Sequence, residues 1–186
     1  MTLHSLWQIV AQANPYPHYY GLADGALSHY IYAHLQAFEV PSIAVLDRED
    51  IPPEQRTWLF ELRPDDLFSQ WYLQESEGKC WGVVLGCPLK LPALAQHLQQ
   101  FLTVQDETGR LHWIRAYDPR VLSAYLSVLD DQQRMALFSP QLGWWAERIG
   151  FASQIIHHGM QDGKLFSKPM SVAPSNDCCE LGEGQC

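Results

Sequence analysis

Positive charge is scarce in this chain: 12 Lys and Arg stand against 21 Asp and Glu, a formal net charge of −9. Nucleic acid and anionic membrane both demand clustered Lys and Arg, so neither is expected as a partner. The balance suits a soluble protein whose partners are neutral or basic. Long apolar runs are missing as well, and nothing approaches the ~20 residues of a membrane-spanning helix. The opening Met1-Thr-Leu-His-Ser-Leu lacks the basic start and unbroken apolar run of a signal peptide. The expected location is therefore the cytoplasm, where the five cysteines are most simply thiols.

Motifs of known chemistry are missing too. There is no Gly-x-Ser-x-Gly elbow, P-loop, His-Glu-x-x-His helix or Gly-x-Gly-x-x-Gly turn. Gly82 and Gly86 lie inside a strand pattern and read as packing positions. No Cys-x-x-Cys pair exists, and the adjacent Cys178 and Cys179 are poorly placed to share one tetrahedral zinc with Cys186 or with His157-His158. Cys80 and Cys87 bracket an extended run, which holds them more than about 20 Å apart along the chain and excludes a bond. Asp65 and Asp66 are adjacent, so on a helix they diverge by about 100°; they suit a helix start better than acid–base work. His97 sits at the edge of an apolar stripe, the place of a satisfied boundary histidine. No catalytic residue, metal or cofactor is expected.

What the chain has in quantity is apolar and aromatic side chains. Of 186 residues, 47% are apolar, enough for a full core, and there are seven Trp, eight Tyr and seven Phe. One domain with appendages is expected. At least half of the rings should fill the core; any exposed ones mark a binding surface.

The stretch with the sharpest local logic is Trp113-Ile-Arg-Ala-Tyr-Asp-Pro-Arg-Val-Leu122. Apolar residues on both faces predict a buried, central strand over 113–117. Asp118 falls at a helix N-cap and Pro119 at the first helical position, where its missing N–H costs nothing. Val121, Leu122, Tyr125, Leu126 and Leu129 then recur at helical spacing. Arg120 lies in the first turn, where the helix dipole disfavours it. Arg115 and Arg120 both call for a carboxylate partner.

In chain order, Leu3, Leu6, Trp7 and Val10 predict a short opening helix, stopped by Asn14-Pro15-Tyr16-Pro17. Tyr19-Tyr20-Gly21 reads as a loop. Residues 27–38 fit helix or strand. Ser42–Leu46 and Thr57–Leu62 read as strands, with the charged Asp47–Asp50 as a solvated turn between them. Pro64-Asp65-Asp66 opens a helix carrying Leu67, Phe68, Trp71 and Tyr72. Trp81–Gly86 is a buried strand, and Leu94, Ala95, Leu98, Phe101 and Leu102 stripe the next helix. Asp106-Glu-Thr-Gly109 signals a hairpin. Asp130-Asp-Gln-Gln133 is a capping box for a helix ended by Pro140. Trp144, Trp145, Ile149 and Phe151 suggest one more helix or partly buried turn, and beyond Met160 the pattern fades into a loosely ordered tail. The fold class expected is α+β: a mixed, mostly antiparallel sheet covered by helices, with a helical C-terminal extension. The expected divisions are 1–27 for an N-terminal helix and loop, 28–145 for the main domain and 146–186 for the extension and tail.

Several pieces in this order resemble the effector-specific adaptor chaperones of the bacterial type VI secretion system. They are the Trp-Gly strand from Trp81 to Leu85 with Cys87-Pro88, Leu-x-x-His-Leu at Leu94–Leu98, Phe-Leu-x-Val from Phe101 to Val104, and a turn at Gly109. The signature Arg115-Ala-Tyr-Asp-Pro-Arg-Val121 follows, then Leu-Asp-x-x-Gln at Leu129–Gln133, Phe138 and Pro140. The resemblance covers roughly residues 28–145. Ala116 stands where the family has an aromatic, and Gln99 and Gln100 where it has arginines, which implies a less basic cargo face.

The resemblance implies a non-enzymatic cytoplasmic protein that binds the N-terminal region of one secreted effector, keeps it soluble and loads it onto the trimeric spike protein. Trp81, His97, Trp113, Arg115, Tyr117, Asp118 and Arg120 are the implied partner-binding or signature residues. A different reading is an immunity protein that blocks a toxin's catalytic domain; a third is a small hydrolase using His97 or His157.

Overall fold

Seven strands form one sheet in the computed structural model, which describes residue 10 and residues 16–46, 49–139, 141–148 and 154–170. The strands are β1 (His18–Asp24), β2 (Ser42–Ala44), β3 (Thr57–Leu62), β4 (Gly82–Cys87), β7 (Gly143–Glu147), β8 (Ile155–Gln161) and β9 (Lys164–Met170), in the order β2-β3-β1-β4-β7-β8-β9. Each neighbouring pair is antiparallel. A separate ribbon pairs β5 (Thr103–Gln105) with β6 (Leu111–Trp113). Among the described residues, α-helices run over α1 (His29–Ala37), α2 (Leu67–Ser76), α3 (Leu91–Gln99), α4 (Pro119–Val128) and α5 (Asp131–Phe138). The architecture is α+β, a sheet covered by helices.

Side chains alternate across a strand, so neighbouring apolar residues serve opposite faces. Tyr20, Leu22, Leu59, Val83, Leu85 and Trp144 point to one side, where α3, α4 and α5 cover them through Leu94, Leu98, Leu122, Leu126, Leu137 and Phe138. Ala23, Phe60, Leu62, Val84, Trp145 and Ile155 point to the other, where α1 and α2 supply Ile31, Leu35, Phe68, Tyr72 and Leu73. Two glycines make room on this second side. A Cβ at Gly86 would lie 2.7 Å from the ring of Tyr16, and one at Gly143 would lie 2.9 Å from the ring of Trp145. The expectation that Gly86 serves packing holds.

Capping follows the sequence. Asp66 accepts from Ser69 N at 3.1 Å, Asp118 from Arg120 N at 2.9 Å, and Asp130 and Gln133 form the reciprocal box of α5. The hairpin turns where expected, with Gly109 at φ 82°. Asp106 ties its tip: Oδ1 accepts from Thr108 N and Oγ1 and from Arg110 N. Hydrogen bonds from Thr108, His112 and Arg110 hold the Asp106 carboxyl down at about 2.

Four expectations change. Residues 113–117 are not a central strand. Strand β6 ends at Trp113 in the small ribbon, with Leu111 64% and Trp113 42% exposed, while Ala116 and Tyr117 enter the core from a turn closed by Asp118 N to Arg115 O. Apolar residues on both faces here reflect a turn that dips into the core, not a strand buried on two sides. Tyr19-Tyr20-Gly21 is not a loop: it lies in β1, paired to β3 and β4, the alternation Tyr20/Leu22 against Gly21/Ala23 being masked by a small residue and a ring hydroxyl. Within 27–38, His29–Ala37 resolves as helix. Among the described residues, the C-terminal extension is strand rather than helix: Trp144 and Trp145 are neighbours on β7 and go to opposite faces, and β8 and β9 extend the sheet to Met170. The sheet thus takes strands from both sides of the 28–145 segment. The opening-helix residues Leu3, Leu6 and Trp7, together with Pro140, Ile149, Phe151 and the tail cysteines, lie outside the described residues; Val10 is buried. Among the described residues, no helix is long and apolar enough to cross a membrane.

Candidate functional site

The signature corner is closed by its own ion pairs. Asp118 is buried at the start of α4, and its two oxygens take both arms of Arg120, Nε to Oδ1 at 2.8 Å and Nη2 to Oδ2 at 2.6 Å. Arg115 reaches the other way, donating Nη2 to Oδ2 of Asp24 at 2.5 Å, with Asp118 Oδ2 at 3.8 Å. Both expected carboxylate partners therefore exist, one local and one from the end of β1. Burial raises the Asp118 carboxyl, but the hydrogen bonds and charge of Arg120, with the charge of Arg115, outweigh it and hold the pKa below the usual value. Two guanidiniums and two carboxylates cancel, so the corner presents no uncompensated charge.

The same corner hooks onto two strands. Asp24 lies opposite Thr57 in the β1–β3 register. Arg115 holds Asp24, and Tyr117 hydrogen-bonds the side chain of Thr57. Burial pushes the Tyr117 phenol up, more than the Thr57 hydrogen bond and Arg115 lower it. Arg115 also lies 6.0 Å from the centre of the Tyr117 ring. The corner is a brace that seats α4 and the ribbon on the end of the sheet.

Asp24 carries this brace to a groove. Its Oδ1 accepts from Ala26 N at 3.0 Å, capping the 3-10 turn Gly25–Leu27, and its backbone N–H donates to Trp81 O at 2.9 Å. The turn runs into α1. Between α1, α2 and the start of β4 lies a cavity of about 520 Å³, lined by Leu27, Tyr30, His34, Trp71 and Trp81, with Glu75 and Lys79 at its edge. His34 stacks flat on Trp71, centroids 3.8 Å apart, and Lys79 Nζ sits 4.9 Å over the Trp81 ring while bonding Glu75 at 3.0 Å.

The implied signature residues therefore divide among three places. Arg115, Tyr117, Asp118 and Arg120 share the brace. Trp81 joins the brace to the groove. His97 and Trp113 are elsewhere: His97 Nε2 donates to Leu137 O at 2.8 Å, fastening α3 to α5, and Trp113 stands on the ribbon. His97 is the satisfied boundary histidine its position suggested. Sequence reading missed Asp24, the hub, and the groove residues Leu27, Tyr30 and His34. Arg115 signals a carboxylate partner but not which one; the groove residues follow at i, i+3 and i+7, a helical spacing inside a stretch whose residues fit helix or strand alike.

Other reactive groups are spent on structure. His157 stacks on Trp145, centroids 4.4 Å apart, and His158 Nδ1 lies 2.8 Å from Ser167 Oγ. Burial pushes both imidazoles down to about 4, His158 and Lys168 adding to the effect at His157. Burial raises the thiol of Cys80, and that of Cys87 to about 11; both are free. Among the described residues, no three His, Cys, Asp or Glu side chains gather as a metal-ligand set.

A family model described as "Domain of unknown function (DUF4123)" matches residues 19–136, well over half of the chain, from Tyr19 within β1 through the groove and the brace. No curated protein and no solved structure matches.

Proposed function

The chain belongs to the DUF4123 family, which is associated with type VI secretion effectors, and from that premise we propose that it is a cytoplasmic adaptor chaperone. In this reading it binds the N-terminal region of one effector, keeps that region soluble and presents it to the trimeric spike protein. The observation that carries the reading is a division of labour: the corner's charges pair off, Arg115 with Asp24 and Arg120 with Asp118, while an aromatic groove whose Glu75 and Lys79 pair with each other lies open beside them. Holding another chain needs an apolar concavity on a rigid frame. An acidic balance of −9 keeps such a complex in solution.

The test is co-expression with the toxin encoded next to it. The reading expects a stable complex with the toxin's N-terminal region and recruitment of the spike protein. A complex with the toxin's catalytic domain, together with protection of cells, would replace it with the immunity reading. Absence of any complex would remove both.

A further inference from the structure

Helix α1 is exposed along one side yet holds not one Asp, Glu, Lys or Arg among its nine residues. Charged side chains normally occupy such a face. Here Leu27, Tyr30, His34 and Phe38 follow one another at helical spacing, and Leu27, Tyr30 and Phe38 are among the chain's large exposed apolar side chains, Tyr30 at 55%. Leu67, at the start of α2, is 64% exposed, and Phe68 behind it meets Phe38 with ring centroids 6.4 Å apart. The stripe runs into the 520 Å³ groove floored by Trp71 and Trp81. In the lining, Glu75 pairs with Lys79 at 3.0 Å, beside the imidazoles of His29 and His34. The lining thus has no net charge, within a chain that carries −9.

We infer that this groove and the α1 stripe are the docking surface for a short, uncharged, apolar segment of the effector's N-terminal region. The inference rests on the adaptor reading and gives it a location. Charge complementarity selects the occupant. A carboxylate or ammonium would lose hydration on the rings and find both edge charges already paired; an apolar segment loses nothing and removes ring surface from water. The volume suits a few side chains rather than a folded domain. The flat rings add shape: they accept a helix turn or an extended segment with little rearrangement, since the Trp71 ring stacks on His34 and the Trp81 ring lies under Lys79 Nζ at 4.9 Å.

Two probes test this on the full chain: the N-terminal region of the adjacent toxin, and a displayed library of random short peptides. Each is measured against the wild type, Tyr30→Glu, Leu27→Glu and, as a surface control on α4, Val128→Glu, which replaces a side chain 77% exposed. The inference expects library selection on the wild type to enrich uncharged apolar peptides. Their affinity and that of the toxin region should fall at least about tenfold in both groove variants and stay level in Val128→Glu. If the wild type carries the toxin and the groove variants carry it equally well, the adaptor reading stands and the groove inference falls. If the wild type carries no toxin, the adaptor reading falls and the peptide arm alone decides the groove. Charged peptides, no selected peptide, equal binding by all variants, or a self-association lost in Tyr30→Glu would each overturn it.

Discussion

On one side of the sheet the helices meet the strands mostly through leucine, valine and alanine; on the other they meet them through Phe60, Phe68, Tyr72, Trp81 and Trp145, with Tyr16, Tyr19, Trp58 and Trp71 at the margins. Among the described residues, α3, α4 and α5 close over the aliphatic side, while α1 and α2 lie on the aromatic side, which continues outward into the α1 stripe and its groove. Branched aliphatic chains interdigitate and seal; rings bury a large area yet keep edges and faces available at a boundary. The difference separates stability from presentation, and the brace ties the two, since α4 belongs to the aliphatic side and Asp24 leads to the aromatic groove.

The largest effect should come from breaking the sealed side. Trp144 is almost wholly buried there, so Trp144→Ala should destabilise by about 3–5 kcal/mol in urea unfolding. A loss below about 1 kcal/mol would mean that this side is not tightly packed.

Acid sharpens the comparison, because each side holds one buried histidine near their shared edge. His157 faces Trp145 and His158 faces the other way, toward Ser167. Both fold with pKa depressed to about 4, against about 6.5 when unfolded, so the unfolded chain binds more protons between those values. Their stabilising effect is complete above pH ~6.5 and is lost as pH falls toward ~4, roughly 3 kcal/mol per histidine. His157→Phe keeps a ring against Trp145 and should flatten the fall in stability between pH 7 and pH 4.5. An unchanged slope in that variant would contradict the burial of a neutral imidazole.

The brace should matter less to stability than its ion pairs suggest. Arg115 and Arg120 are about half exposed, so solvent screens them. Asp118→Ala removes a cap and should cost about 1–2 kcal/mol in thermal or urea melts; Arg120→Ala leaves Asp118 its backbone amide donor and Arg115 and should lower the melt by less. Values near zero would refute the account of the corner. Least of all, Tyr30→Ala should shift stability by no more than about 0.5 kcal/mol, which makes it a clean probe of binding.

Much of this was legible in the chain. Local rules placed the caps at Asp118 and Asp130, a helix start at Pro64-Asp65-Asp66, the turn at Gly109, the strands 42–46, 57–62 and 81–86 and the stripe of α3, because each depends on neighbours within a few residues. What escaped depends on partners far away. Strand β1 hid behind Tyr19-Tyr20-Gly21 because Gly21 is defined by the Phe60 ring across the sheet, 2.2 Å from where a Cβ would stand. The Trp144-Trp145 pair reads as helix or turn until a sheet offers each ring its own face. Arg115's need for a carboxylate was plain, but only the fold could nominate Asp24, 91 residues earlier.

Hydrogen exchange on the complex with the effector's N-terminal region tests the central claim most directly, because two exposed apolar surfaces compete for it. The account predicts added protection in α1 and α2 and around Trp81, with the ribbon bearing Val104, Leu111 and Trp113 unchanged. Protection confined to residues 103–113, with α1 exchanging as in the free protein, would contradict it.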